Sequence, residues 1–518
     1  MIIKKRNLVL ASTIIISFIS LFILLGIYGN PFFWDFSLLF DGAYRISLGI
    51  FPFLDFAMLP IPLSFFLQAF YDVLFGAGLI AMAINSIVLA SILSILFYTI
   101  FREHFGEVFS IFLAISLGYS FNGILAFPWY NQLAFFFFLV NFFLLYQQKT
   151  HGIKNNSLLV YSFILTILSV FSKTDIGLIH FLLLSVYFFI SSKKKGKAIF
   201  SYYIFPFLAS FVFINYFIST LSNSVYSSST GVLFTKFISV FSIFSLNILL
   251  FSFVVYFLIS LLYLLSVYKF HNLDAESKNI LYLIIFLNLL VLGSSITSGL
   301  SMQTRVMGLP ITFFLCYSFF KRTLVNKRLR LTKKSLKTTV TFFIFLLLFS
   351  QFNGIGANSQ YQFFKSPSLQ AFNIFGPEES SYYEKESIGC YSGSLLEKEY
   401  MVDLKKIREY IGNERDVVIL GPYQFLYCDY NISPPQELPL WMHEGLTYSK
   451  ENHFDEIKKY FNENKPKIII EQFGSSPHTR QEFIDYLENI GYVKKDTLSN
   501  KGGSINIFFL KSYNKQII

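Results

Sequence analysis

"VLFGAGLIAMAINSIVLASILSILFYTI", residues Val73–Ile100, contains no charged side chain over 28 consecutive positions. About 20 apolar residues in a helix are enough to cross the hydrocarbon core of a bilayer, so the segment predicts a transmembrane helix. The rest of the chain has the same character, because 54% of its residues are hydrophobic and only 14% are charged. Soluble domains carry about 25% charged residues. The composition therefore predicts an α-helical polytopic membrane protein.

Eleven apolar segments are predicted as transmembrane helices. The first follows "MIIKKRN" and is interpreted as an uncleaved anchor, because no Ala-x-Ala-like cleavage site follows it. The segments lie at 8–29, 73–100, 108–127, 132–147, 156–172, 176–191, 198–218, 240–268, 279–298, 304–320 and 338–354.

The placement of Lys and Arg predicts the orientation of these spans. Residues 1–352 carry 24 Lys and Arg against nine Asp and Glu, and 20 of these cations fall in loops on the side of the N-terminus. Positive loops face the cytoplasm, so the N-terminus is predicted to be cytoplasmic, in a cell membrane. Because the net charge of +11 comes from these short loops, it does not indicate nucleic-acid binding. The four cations on the outer side are Arg45, Lys173, Lys236 and Arg305.

The chain divides into a transmembrane domain, residues 1–354, and a C-terminal part, residues 355–518. An odd number of spans places the C-terminal part outside the cytoplasm. Its composition is that of a soluble domain, and strands at 416–421, 466–473 and 504–510 alternate with helices at 403–411, 452–462 and 479–490. This alternation predicts a small α/β domain. Cys390 and Cys428 both lie in it and could pair if it is exported, although their spacing alone does not decide this.

The connection at residues 30–72 is the first outer loop, and it is rich in carboxylates. Asp35 and Asp55 are flanked by Trp, Leu and Phe, and acids at membrane depth are functional candidates. Asp41 precedes Arg45 by one helical turn, so the two side chains are expected to pair. Asp72 is interpreted as the solvated beginning of the next span.

These residues suit the transfer of a sugar. An acceptor hydroxyl or amine needs a general base within hydrogen-bonding distance, and a phosphate leaving group needs cations beside its developing negative charge. Asp35 and Asp55 are candidates for the first task. Lys173 and Arg305, at the outer ends of spans, are candidates for binding the phosphate of a lipid-linked donor.

Several motifs resemble those of the polytopic GT-C glycosyltransferases, which include protein O-mannosyltransferases and the lipid A aminoarabinose transferase. The pattern Asp35-x13-Gly49-x2-Pro52-Phe53-x-Asp55-Phe56, followed by "LPIP" at 59–62, is similar to their first outer loop. Phe36 and Phe53 replace a Glu and a Tyr of that pattern. "PWYNQL" (128–133) is similar to a Tyr-Asn element, "SKTDIGL" (172–178) resembles a Lys-x-x-x-Gly element, and Arg305 stands where a late outer Arg often occurs.

The resemblance implies an inverting transfer from a polyprenyl-phosphate sugar donor to a glycan, lipid or protein acceptor of the cell envelope. It implies that Asp35 activates the acceptor with support from Asp55. Asp41, Arg45, Tyr130 and Asn131 are assigned to the acceptor or donor pocket. Some members use a divalent metal, but Phe36 removes one acid of the pair, so neither a metal nor another cofactor is predicted.

Other functions compete with this one. A transporter or flippase for lipid-linked glycans would show inverted repeats and charges in the middle of its spans, and neither is found. A ligase or polymerase of lipid-linked glycans would have long, cation-rich outer loops late in the chain, where this chain has a short one. An assembly factor acting through its C-terminal part would leave the carboxylates of the first loop unexplained. The transferase is therefore preferred.

Overall fold

A computed structural model gives the fold of the chain. It describes residues 14, 27–28, 34–56, 63–122, 130–151, 155–191, 196–221, 383–385, 389–391, 394–421, 423–440, 453–472, 477–500 and 503–514. The predicted spans at 240–268, 279–298, 304–320 and 338–354 lie outside these residues, and so does Arg305.

The described part of residues 1–354 is helical apart from the two-residue strand β1 (Ile27–Tyr28). Its helices are α1 (Trp34–Ser47), α2 (Leu63–Phe75), α3 (Leu79–His104), α4 (Glu107–Asn122), α5 (Tyr130–His151), α6 (Asn155–Ser172), α7 (Thr174–Ser191) and α8, which runs through Gly196–Ile199, a π-helical turn at Phe200–Ile204 and Phe205–Leu221. Each of the six spans predicted between residues 73 and 218 coincides with one of these helices.

Two helices in the described residues are long and apolar enough to cross a membrane, judged by length and composition. They are Leu79–Glu103 and Gly196–Ile214, whereas Asn156–Ser172 and Thr174–Ile190 are shorter apolar helices. The boundaries of two predicted spans are wrong. Ile27, assigned to the first span, lies in a strand, and the second span begins at Leu79 because Gly76 and Gly78 have positive φ angles of 82° and 153°.

Hydrogen bonds between helices show how the bundle is arranged. The Ser94 hydroxyl of α3 donates to the Ala114 carbonyl of α4 at 2.8 Å, and Ser169 of α6 donates to Ala134 of α5 at 3.0 Å. The Ser162 hydroxyl of α6 also donates to Asn141 Oδ1 of α5 at 2.8 Å, so later residues of α5 meet earlier residues of α6 and these two helices are antiparallel. Only Phe105 and Gly106 separate α3 from α4, so this pair is antiparallel as well. Leu79, Tyr130, Ser172 and Thr174 consequently lie at one end of the bundle, which is called the loop end below.

The first outer loop contains more secondary structure than its description as a loop implied. Helices α1 and α2 occupy much of it, and α2 packs against both α1 and α3. Helix α1 is buried on all sides, because residues 37–45 are all buried. Leu38, Leu39, Phe40 and Tyr44 supply most of its apolar surface. The predicted outer connection is therefore a helical layer at the loop end.

The C-terminal part is an α/β domain, as the alternation predicted. Its elements are β2 (Tyr383–Lys385), β3 (Ser394–Glu397), α9 (Lys398–Ile411), β4 (Val417–Leu420), α10 (Leu426–Asp429), α11 (His453–Asn464), β5 (Ile468–Glu471), α12 (Pro477–Asn489), β6 (Tyr492–Asn500), β7 (Gly503–Leu510) and α13 (Lys511–Asn514). The larger sheet has the order β4-β5-β7-β6, in which β4 and β5 are parallel and the other pairs are antiparallel.

Two features of this domain are absent from the sequence-based prediction. Strand β6 was missed because Lys494, Lys495 and Asp496 interrupt its apolar alternation, at the position where its register with β7 shifts. A second, three-stranded sheet has the order β1-β3-β2, and β1 pairs with β3 through Ile27 and Ser394. A residue near the N-terminus thus joins a strand of the C-terminal domain.

The larger sheet is covered on both faces because its buried residues alternate in direction. Val418, Leu420 and Ile469 pack with helices α11 and α12. The opposite face, with Val417 and Ile419, packs in one apolar cluster that also contains residues of α9, of α1 and of the segment after α1. The C-terminal domain and the loop end of the bundle therefore share a hydrophobic core.

Candidate active site

Asp35, the predicted base, is the second residue of α1. Its side chain lies outside the described part of the structure.

Asp41 and Arg45 form the ion pair that their spacing predicted. The Arg45 Nε donates to Asp41 Oδ2 at 2.9 Å, and the two residues are 1% and 0% exposed. Burial raises the pKa of Asp41 above its ordinary value even though Arg45 opposes the shift. The second oxygen, Oδ1, is buried and has no hydrogen-bond partner in the part of the chain that the structure describes. The pair is thus fully enclosed by protein.

Asp55 lies in a tight loop, residues 50–56, which is called the Asp55 loop below. The Phe51 amide donates to Asp55 Oδ2 at 2.7 Å, and the Asp55 amide donates to the Phe51 carbonyl at 2.9 Å. Phe53 has a φ of 70°, a conformation that is costly for an aromatic residue. One carboxylate oxygen of Asp55 therefore stabilises the loop, while the residue as a whole is only half-buried.

Lys173 and Tyr130 meet at the loop end. The Lys173 Nζ lies 5.2 Å from the centre of the Tyr130 ring and 3.7 Å from Asp175 Oδ2. Tyr130 in turn packs against the apolar cluster that includes Phe56 and residues of α1. The Tyr-Asn motif and the Lys-x-x-x-Gly motif are thus neighbours beside the first outer loop. They are more than 40 residues apart in the sequence.

Asn131 follows Tyr130 and is 5% exposed. Its Oδ1 is buried and accepts no hydrogen bond from the residues that the structure describes. Buried polar atoms nearly always have a partner, so this oxygen is suited to accept a hydrogen bond from a hydroxyl group of a bound ligand. Asn131 is the neighbour in sequence of Tyr130, whose ring lies against the predicted phosphate-binding Lys173.

The interpretation of Asp72 as a solvated acid is wrong. Asp72 is 4% exposed in α2, because the face of α2 that carries Gln68 and Asp72 is turned towards α3. Asn85 Nδ2 donates to Gln68 Oε1 at 3.0 Å, and Gln68 Nε2 donates to Asp72 Oδ1 at 2.8 Å. Asp72 thus ends a polar chain that joins two helices.

Three contacts bring the C-terminal domain to the first outer loop, and sequence reasoning missed all of them. The Arg45 Nη1 donates to the Pro435 carbonyl at 2.7 Å, the Glu437 amide donates to the Asp55 carbonyl at 2.9 Å, and Ser37 Oγ donates to Gln424 Oε1 at 3.2 Å. The partners are more than 380 residues apart, and two of the three contacts involve backbone atoms, which leave no pattern in a sequence.

A disulfide joins Cys390 and Cys428, whose Cα atoms are 6.2 Å apart. The pairing that the sequence left open is therefore made. Among the described residues, no group of three or more His, Cys, Asp or Glu is placed to hold a metal ion.

No protein-family model matches the chain, and no curated protein matches it. Solved structures do match. The chain is similar to ArnT from Cupriavidus metallidurans in the apo state, with a TM-score of 0.47 and 11% identity over 97% of this chain and 99% of that one. It is also similar to an oligosaccharyltransferase from Archaeoglobus fulgidus, with a TM-score of 0.44 and 13% identity over 90% of this chain and 69% of that one.

Both TM-scores are below 0.5, so neither match by itself supports a conclusion about this chain. Both neighbours are GT-C membrane glycosyltransferases, which is the group that the motifs of the first outer loop resemble.

Proposed function

We propose that the chain is a membrane glycosyltransferase that moves a sugar from a polyprenyl-phosphate donor to a glycan, lipid or protein acceptor of the cell envelope. The transfer inverts the anomeric centre, and it takes place on the outer face of the cell membrane. The disulfide between Cys390 and Cys428 supports this location, because structural disulfides persist in oxidising compartments outside the cytoplasm.

The observation that carries the proposal is the chain of contacts through Tyr130. Its ring lies against Lys173 Nζ, and Tyr130 also packs against the apolar cluster that includes residues of α1, Phe56 of the Asp55 loop and residues of the C-terminal domain. A cation suited to a phosphate therefore lies at the same end of the bundle as the carboxylates suited to an acceptor. Transfer from a lipid phosphate needs these two functions side by side.

The roles follow from chemistry. Asp35 removes the proton from the acceptor as it attacks the anomeric carbon. Lys173, together with Arg305, stabilises the negative charge of the departing polyprenyl phosphate. Asn131 Oδ1, which is buried and has no hydrogen-bond partner among the described residues, accepts a hydrogen bond from a sugar hydroxyl. Asp55 supports the acceptor side through the oxygen that the Phe51 amide does not occupy.

The substitution Asp35→Asn tests the proposal. We expect a loss of sugar transfer of roughly 100-fold or more, since this is the usual contribution of a general base. Sugar release from a polyprenyl-phosphate sugar is measured with purified protein in detergent. Wild-type turnover by Asp35→Asn would remove Asp35 from its assigned role.

Lys173→Gln tests the donor side. Loss of the ammonium should raise KM for the lipid-linked donor by roughly tenfold, because the phosphate is bound before the chemical step as well as during it. Lys197→Gln is the matched control, since Lys197 lies in α8 at the opposite end of the bundle. Equal effects of the two substitutions would show that Lys173 has no special contact with the donor.

A further inference from the structure

We propose that Arg45 is a positioning residue through which the C-terminal domain holds the Asp55 loop in its working conformation. The inference rests on the proposed function for its effect on sugar transfer. It assigns the C-terminal domain a role in the site, through a segment called the junction segment, residues 431–440.

Arg45 makes contact with three separate parts of the chain. Its Nε binds Asp41 within α1 at 2.9 Å, its Nη1 binds the Pro435 carbonyl at 2.7 Å, and its guanidinium lies 5.1 Å from the centre of the Phe56 ring. Its own carbonyl accepts the Ile50 amide at 3.0 Å. A planar fork can bind in several fixed directions at once, so one side chain sets the relative positions of α1, the Asp55 loop and the junction segment.

A second link joins the loop directly to the domain. The Glu437 amide donates to the carbonyl of Asp55 at 2.9 Å, which is the residue whose carboxylate is assigned to the acceptor side. Phe53 and Glu437 have φ angles of 70° and 72°. Non-glycine residues keep such conformations only where the surrounding structure enforces them. The strained residues therefore lie on the two sides of one contact.

Apolar packing closes the same junction. Leu440 and Ile432 of the junction segment belong to the cluster that contains Phe56 and Leu39. A Cβ added to Gly42 would overlap a Phe65 ring carbon and would lie 3.0 Å from Leu440. Leu440 of the junction segment thus lies close against α1, where Asp41 and Arg45 are 0% and 1% exposed.

The substitution Arg45→Lys tests the inference, because a single ammonium keeps the charge but cannot bind Asp41 and Pro435 in the same planar fork. Hydrogen exchange followed by mass spectrometry is measured on peptides covering the Asp55 loop and the junction segment. We expect faster exchange in both, and a fall in kcat of roughly tenfold or more with KM changed less, since small displacements of reacting groups are costly.

Arg480→Lys is the matched control. Arg480 also binds a buried acid, Glu471, at 2.9 Å, but this pair lies within the C-terminal domain. Arg480→Lys should leave kcat unchanged, and it should also leave the hydrogen exchange of the Asp55 loop unchanged. The inference is overturned if Arg45→Lys exchanges and turns over like the wild type, or if Arg480→Lys reproduces both of its effects.

A double variant covers the case in which Arg45→Lys does not fold. Asp41→Asn combined with Arg45→Met removes the bond to Pro435 without leaving an unpaired buried charge, and the same exchange and kcat changes are expected. Because exchange needs no substrate, the two proposals fail separately. A further outcome is that the wild type transfers no sugar while Arg45→Lys still exchanges faster than Arg480→Lys. In that case the proposed function is wrong, and the inference that Arg45 holds the Asp55 loop stands.

Discussion

Two arginine–carboxylate pairs in this chain, each with a buried acid, have the same chemistry and different surroundings. Glu471 accepts bonds from both Nε and Nη2 of Arg480 at 2.9 Å, and from Asn506 Nδ2 at 2.7 Å. Among the described residues, Asp41 accepts a bond from Arg45, while its Oδ1 has no hydrogen-bond partner. The pair inside the C-terminal domain is thus more fully satisfied than the pair at the junction.

The difference indicates what each pair contributes. A buried acid with several charge-assisted bonds recovers the free energy of its dehydration, so Glu471 and Arg480 stabilise the domain. Asp41 recovers less of the free energy of its dehydration, because burial raises its pKa above the ordinary value even with Arg45 beside it. Retaining an incompletely satisfied pair where two parts of the chain meet is consistent with a role in placing them.

Breaking the pair inside the domain should have the largest effect on stability. Arg480→Met leaves Glu471, which is 0% exposed, without its cation, and we expect a loss of roughly 3 kcal/mol in the free energy of unfolding. Thermal melting of the purified protein in detergent measures it. A melting temperature close to that of the wild type would show that Asn506 alone satisfies Glu471.

Filling the space between α1 and the junction segment should lower the free energy of unfolding by somewhat less. In Gly42→Ala the new methyl group meets Phe65 and Leu440, and overpacking of this kind costs about 2 kcal/mol. The matched control is Gly106→Ala, because an added Cβ there has no atom within 4 Å. Thermal melting and hydrogen exchange of the junction segment measure the effect. Equal melting temperatures and equal exchange rates for the two variants would mean that the junction accommodates the added methyl group without strain.

The pH dependence of stability distinguishes the junction pair in a further way. Arg45 lowers the pKa of Asp41 against the larger effect of burial, so Arg45→Met should raise that pKa further. The folded state then holds a proton that the unfolded state has released, and stability falls as the pH rises. Each additional pKa unit is worth about 1.4 kcal/mol.

We therefore expect Arg45→Met to lose more stability relative to the wild type at about pH 8 than at about pH 5. Melting temperatures at the two pH values measure the difference. The double variant Asp41→Asn with Arg45→Met removes the titrating group and should not show it. The opposite trend in Arg45→Met would contradict the assignment to Asp41.

The smallest effect is expected at Asp72, outside both pairs. Asp72→Asn keeps a side-chain oxygen that can accept the hydrogen bond from Gln68 Nε2, which is 2.8 Å from Asp72 Oδ1 in the wild type. The free energy of unfolding should therefore change by about 0.5 kcal/mol or less. Sugar transfer should remain at the wild-type level. A clear loss of transfer would place Asp72 in the site and would weaken the ranking of the carboxylates.

Local patterns predicted the elements of this protein well. The apolar run at 73–100 became the long helix α3, and the short apolar runs in "DVVILG" and "PKIIIEQF" became the parallel strands β4 and β5. The four-residue spacing of Asp41 and Arg45 predicted their ion pair, since it places both on one helix face. These features depend on neighbours in the sequence, so the sequence carries them.

The failures have a common cause. Asp72 was interpreted as solvated because nothing near it in the sequence indicates that Asn85 and Gln68 will enclose it. Strand β6 was missed because its pairing with β7 outweighs its own polar composition. In both cases the environment of a residue comes from a partner element, and a pattern within one segment does not contain it.

Hydrophobic burial and periodicity act within single segments, so the sequence alone predicted an apolar helical chain with a C-terminal α/β domain and a carboxylate-rich connection at residues 30–72. Three contacts appear only in the folded structure: Tyr130 with Lys173, Cys390 with Cys428, and the C-terminal domain with the Asp55 loop. The partners in the last of these, Asp55 and Glu437, are 382 positions apart (437 − 55). Such contacts depend on backbone atoms and on the packing of whole faces, and these exist only once the chain has folded.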